Sequence, residues 1–205
     1  MTQTRYPIPA EPHRSQIEVE RSRFVTSIEP VSSPEDALAF VARIKQEFPD
    51  ANHNCWAYLI GPPGSSDRIG LSDDGEPHGA AGKPMLTVLH HGGVGDIAVV
   101  VTRYFGGIKL GKGGMVKAYT RAIQTALEQL ELAEKIDWAE LALSFDYAQL
   151  NCIERLLPDF EAKIVAKQFA ERICLQLKLP AEQEEKLRAQ LTNLTAGKIV
   201  FQQPD

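Results

Sequence analysis

At 205 residues, with a formal charge of −5, 43% hydrophobic and 24% charged content, the chain has the make-up of an ordinary globular protein of one large or two small domains. The acidic balance excludes a surface coated uniformly for nucleic acid, so any polyanion must be met by a local basic patch. No stretch approaches the ~20 apolar residues of a membrane helix, and MTQTRYPIPAEPHRSQ lacks the apolar centre of a secretory signal, so a cytoplasmic protein with no membrane association is expected. Cys55, Cys152 and Cys174 form no CxxC pair and read as reduced thiols.

Residues 1–13, with Pro7, Pro9 and Pro12, read as an extended lead-in. Alternation at Ile17 and Val19, then at Phe24, Thr26 and Ile28, predicts a hairpin turning near Arg21–Ser22. Ser33-Pro34-Glu35-Asp36 supplies an N-cap, a first-turn proline and first-turn acids. Ala37, Val41, Ile44 and Phe48 follow at helical spacing, up to Pro49. Cys55–Ile60 reads as a strand, Gly61–Ser66 as a turn and SDDGEPHGAAG as a loop. A helix carrying Met85, Leu86, Val88 and Leu89 is expected from about Pro84, and Ile97–Val101 has the composition of a strand buried on both faces. Gly113-Gly114 is expected to precede the longest helix, which bears two apolar stripes.

The pattern changes near Glu131–Asp137, placing a domain boundary so that residues 1–135 and 136–205 form separate domains. The second segment reads strand, helix, strand, strand, helix, strand, the ferredoxin-like order. The fold class is therefore α+β.

Chemistry concentrates between Ser72 and Tyr119. The acidic half, with Ser72, Asp73, Asp74, Glu76 and the nearby Lys83, reads as a general base, metal ligands or a surface for a basic partner, or else as an acidic turn. EF-hand ligand spacing is absent, and neither a metal nor another cofactor is expected. From Ile97 to Leu127 there is no Asp or Glu, while Arg103, Lys109, Lys112, Lys117 and Arg121 all fall there. Gly111, Gly113 and Gly114 strip side chains from a loop leading into a helix N-terminus, an arrangement suited to an anion. Gly106-x-x-x-x-Gly111-Lys112 matches most of a nucleotide-binding loop, but Gly113 stands where a Mg²⁺-binding hydroxyl is required. Tyr104 and Phe105 read either as a stacking platform beside Arg103 or as core. A nucleophilic role for Cys55 would need an activating neighbour.

SDDGEP-x-G-x-A-G-K-P (Ser72–Pro84) and R-Y-F-G-G-I-K-L-G-x-G-G-x-x-x-A-Y (Arg103–Tyr119) together resemble the signature of the IMPACT family, with R-S-R-F (Arg21–Phe24) and the C-terminal module in keeping. The resemblance implies an N-terminal α/β domain like those of a small-subunit ribosomal protein and elongation factor G domain IV, and a C-terminal domain like elongation factor G domain V. It also implies a role in regulating translation. Eukaryotic members inhibit activation of a kinase that phosphorylates an initiation factor and carry an additional N-terminal partner-binding domain. Their mechanism is therefore not expected to transfer to a chain of this layout. Ala80 stands where a threonine is common in the family, and Lys112 where a small polar residue is common.

The expected function is a non-catalytic regulator in translation or stress response. It would bind RNA, the ribosome or another polyanion through Arg103, Tyr104, Lys109, Gly111, Lys112, Gly113, Gly114, Lys117 and Arg121. No catalytic residue is identified. The rival readings are an enzyme or sensor for a small phosphorylated metabolite and a module that docks a protein partner. The acidic and basic halves are expected to face one another across one groove.

Overall fold

The computed structural model of the chain describes residues 3–202. It comprises two compact units, Arg5–Lys135 and the residues from Ile136 onward together with Gln3 and Thr4.

In the first unit the strands are β1 (Arg5–Pro9), β2 (His13–Val19), β3 (Ser22–Pro30), β4 (His53–Ile60), β5 (Arg68–Ser72), β6 (Ile97–Tyr104) and β7 (Leu132–Ile136). Three helices separate them: α1 (Pro34–Glu47), α2 (Gly82–His91) and α3 (Gly111–Glu128). A five-stranded antiparallel sheet runs β2-β3-β6-β4-β5, and β1 pairs with β7 in a separate ribbon. The continuous apolar run of β6 is explained by its central place. Val99 and Val101 face the core shared with α2 and α3, while Ala98 and Val100 face the core under α1. Helix α1 starts as its residues dictate, with the Ser33 hydroxyl accepting from the Asp36 N–H at 3.1 Å and Pro34 in the first turn.

The ribbon is tied down by Asp96, which is buried with a left-handed φ of +47°. Its carboxylate accepts from the Tyr6 hydroxyl (2.9 Å), the Gly61 N–H (2.7 Å) and the Lys135 ammonium (2.5 Å).

Three local expectations change. The lead-in contains β1, whose strand partner lies more than a hundred residues away. The Arg68–Ser72 segment forms edge strand β5, so Ser72 ends a strand. Gly113 and Gly114 lie within the first turn of α3, which begins at Gly111.

The second unit contains β8 (Trp138–Phe145), α4 (Leu150–Leu156), β9 (Lys163–Phe169), β10 (Ile173–Pro180), α5 (Ala181–Leu194) and β11 (Val200–Gln202). Its antiparallel sheet runs β11-β8-β10-β9, the ferredoxin-like arrangement. Alternation places Leu141, Leu143 and Phe145 of β8 and Ile173, Leu175, Leu177 and Leu179 of β10 on one face. They pack there with Ile153, Leu157, Leu187 and Leu191 of the helical layer.

The β2–β3 hairpin turns through Glu20 and Arg21, both left-handed at φ +47° and +62°. This is the geometry of a type I′ turn, which Asn-Gly adopts without strain and other side chains at a cost of about 1 kcal/mol or more each. Gly106 backs against this turn, and a Cβ there would lie 2.0 Å from the Arg21 carbonyl carbon. Replacing Gly106→Ala should therefore cost about 2–3 kcal/mol in urea denaturation. At Gly113, where a Cβ meets open space, the same change should be neutral or stabilising by about 0.5–1 kcal/mol.

Candidate functional site

The acidic turn after β5 is occupied almost wholly by internal work. The Asp73 carboxylate accepts from the backbone N–H groups of Gly79 (2.8 Å), Ala81 (3.0 Å) and Gly82 (2.9 Å). It thereby caps α2 from outside, where the N-cap residue Ala81 has no side chain able to do so. Burial acts to raise the pKa of Asp73, but the three N–H donors outweigh it and hold the carboxyl below its ordinary value. Asp74 takes a left-handed φ of +45°. Its carboxylate accepts from the Asn54 N–H at 2.7 Å and from the Lys45 ammonium, and its carbonyl accepts from His53 Nδ1 at 2.8 Å. Burial again opposes the shift, and Lys45 with the Asn54 N–H lowers the carboxyl. The Ser72 hydroxyl accepts from the Asp74 N–H at 3.1 Å.

Glu76 turns inward. Only 8% exposed, it accepts through Oε1 from Arg103 (2.5 Å) and from the Tyr119 hydroxyl (2.9 Å), and His53 Nε2 lies 4.0 Å from Oε2. Arg103 is itself 6% exposed, lies 5.6 Å from the Phe24 ring and reaches Met115 Sδ at 3.6 Å. Cys55 Sγ sits 3.3 Å from the Tyr119 hydroxyl and 2.9 Å from the Asp73 carbonyl oxygen. Burial pushes the Cys55 thiol up to about 12, away from the thiolate form that a nucleophile needs, and burial likewise raises Tyr119. The two halves of the motif thus meet, but inside the protein.

Arg103 therefore leaves the exposed basic set. Its phase along β6 signals this: Val99, Val101 and Arg103 share the inward face once the strand is extended to Tyr104. Tyr104 is also engaged, its hydroxyl donating to Asp50 at 3.0 Å and its ring lying 4.2 Å from the Arg23 guanidinium. Of the expected platform, only Phe105 is largely open. Gly106 serves packing against the hairpin, and the nucleotide-binding loop reading has no further support. Ala80 is fully buried in the core beneath α2.

Lys109, Lys112, Lys117 and Arg121 remain. All four are exposed and form no ion pair among the described residues. Three of them converge. Lys109, Lys117 and Arg121 line a cleft of about 440 Å³ together with Gly114, Val19, Glu20, Ile108, Leu110 and Ala118. Lys117 and Arg121 reach it from one face of α3, being four residues apart. Lys112 lies on the same helix's first turn but does not line the cleft. Gly111 enters α3 with a left-handed φ of +67°, and among the described residues no side chain caps that helix. Lys83 projects elsewhere, at a groove of about 950 Å³ between α2 and α3 floored by Pro84, Val88, Val116 and Leu127. Among the described residues, no group of three or more His, Cys, Asp or Glu is placed to hold a metal ion, and no helix is long and apolar enough to cross a membrane.

The Impact N-terminal domain model matches residues 20–127, which include every residue of the site described above except Val19, and a domain-of-unknown-function model (DUF1949) matches residues 143–198. The chain belongs to the IMPACT family. It is 42% identical over 192 residues to the IMPACT family member YigZ of Escherichia coli, covering 94% of each chain. An IMPACT family member of Haemophilus influenzae is also 42% identical, over 90% of each chain. The protein IMPACT of Xenopus laevis matches over 107 residues at 36% identity, which is 51% of this chain and 34% of that one. A crystal structure described as that of a hypothetical protein covers 99% of the chain at 40% identity with a TM-score of 0.67.

Two outcomes follow from the buried network and the cap. Replacing Glu76→Ala leaves Arg103 buried and uncompensated and should cost about 3–5 kcal/mol in chemical denaturation, whereas Glu76→Leu combined with Arg103→Met should recover most of that loss. Because the pKa of Asp73 is lowered in the folded state, its contribution is complete above the unfolded carboxylate value of about 3.9 and is lost as pH falls through the lowered value. In Asp73→Asn the acid limb of a stability–pH profile should be flatter than in the wild type.

Proposed function

We propose that this IMPACT-family protein is a non-catalytic regulator in translation or stress response that binds RNA, free or in the ribosome, through the cationic face of α3 and the loop before it. The observation that carries the reading is a sorting of charges. The motif's acids and Arg103 are neutralised within the fold, whereas Lys109, Lys117 and Arg121 meet at one cleft with no ion-pair partner among the described residues. Lys112 extends that field along α3. In a chain of net charge −5, such a patch concentrates a polyanion at one place. The enzyme reading is weakened by the same sorting: Asp73 spends its carboxylate on three backbone donors, and Glu76 is closed off by Arg103 and Tyr119.

RNA binding through three or four such contacts should show a log–log salt slope of roughly −2 to −3 in a filter assay. Replacing Lys109, Lys117 and Arg121 together with Glu should abolish binding while leaving the melting temperature unchanged. Unchanged affinity in that variant overturns the proposal.

A further inference from the structure

The lining of the cleft is more selective than a phosphate track requires. Its floor is apolar, made by Val19, Ile108, Leu110 and Ala118, and Ile108 remains 38% exposed. Its polar lining is three cations and one carboxylate, that of Glu20. A bare phosphate would gain nothing from the floor and would be repelled by Glu20. A duplex keeps its bases stacked and offers a convex surface of phosphates to a concave site. The occupant that matches has a flat apolar body, a hydrogen-bond donor for Glu20 and anionic groups for Lys109, Lys117 and Arg121. At about 440 Å³ the cleft is within the range of sites that enclose small molecules, roughly 300–1,000 Å³.

We infer that this cleft seats one unstacked nucleobase of an RNA single strand, its flanking phosphates on the three cations and its amino group on Glu20; the inference rests on the RNA reading above. Adenine, cytosine and guanine offer an exocyclic amino donor to a carboxylate. Uracil offers only its ring N–H, so it is the disfavoured base.

The hairpin tip supplies an independent observation. Glu20 and Arg21 occupy left-handed positions that Asn-Gly would fill without strain. The tip is held against the loop after β6, where a Cβ on Gly106 would collide with the Arg21 backbone and where the Gly106 N–H donates to the Ser22 hydroxyl at 3.2 Å. The turn thus keeps a carboxylate at the cleft at the expense of stability, as strained residues do where they serve a site.

Fluorescence polarisation at constant salt would compare 12-mers of oligo(A), oligo(C) and oligo(U), an abasic 12-mer and a 12-base-pair RNA duplex. Oligo(A) and oligo(C) should bind roughly tenfold more tightly than the abasic strand or the duplex, and about fivefold more tightly than oligo(U). The loop variant Ile108→Asn should lose the preference over the abasic strand and keep abasic binding. The double variant Glu20→Asn with Arg21→Gly should melt higher than the wild type yet bind oligo(A) and oligo(U) equally. Equal wild-type affinity for base-bearing and abasic strands overturns the base-seating inference and leaves the RNA reading standing. Failure of the wild type to bind any of the five overturns both.

Discussion

One buried ion pair sets the register of the first unit. Glu76 comes from the turn after β5 and Arg103 from the end of β6, and both are almost wholly withdrawn from water. Desolvating two charges costs several kcal/mol, and the guanidinium offsets it through Nη1 on Glu76, Arg103 Nε being buried with no hydrogen-bond partner among the described residues. Tyr119 donates to the same carboxylate, bringing α3 into the arrangement, and His53 approaches from β4. One carboxylate thereby registers the acidic turn, the central strand and the longest helix against each other. The neighbouring acids extend that registration, Asp73 holding the start of α2 and Asp74 the start of β4.

This changes what the dense motif residues mean. A stretch rich in Asp, Glu, Gly and Lys reads in isolation as reactive or ligand-binding. Here most of it is consumed in positioning backbone, and the exposed remainder is a cationic face. What the fold leaves unneutralised on its surface is three convergent cations with no competing internal duty.

Much of the architecture was legible because its signals are local. Ser33 and Pro34 announce α1 directly, and the alternation of Ile173, Leu175, Leu177 and Leu179 marks β10 and its buried face. Strands β1 and β5 lack such a signal. In β5 the apolar residues Ile69 and Leu71 are exposed at a sheet edge, and β1 gains its identity only by pairing with β7. The site was half legible for the same reason. Lys109, Lys117 and Arg121 are exposed whatever their neighbours do, whereas the role of Arg103 is set by a glutamate 27 residues earlier, and that of Tyr104 by Asp50 and Arg23. The place of Glu20 is not legible in the sequence, because a hairpin tip carries no pattern linking it to a helix about a hundred residues downstream.

The pairing of β1 with β7 bears on the order of synthesis. The first and last strands of this unit are partners, with the Ala10 N–H donating to the Glu131 carbonyl at 2.9 Å and Asp96 fastening Tyr6 and Lys135 together. A chain made from its N-terminus therefore cannot pair β1 until β7, more than a hundred residues later, has been synthesised. The sheet and its buried ion pair are assembled from residues translated before that point. The ribbon cannot close before β7 is made, and β1 offers an unpaired edge until then.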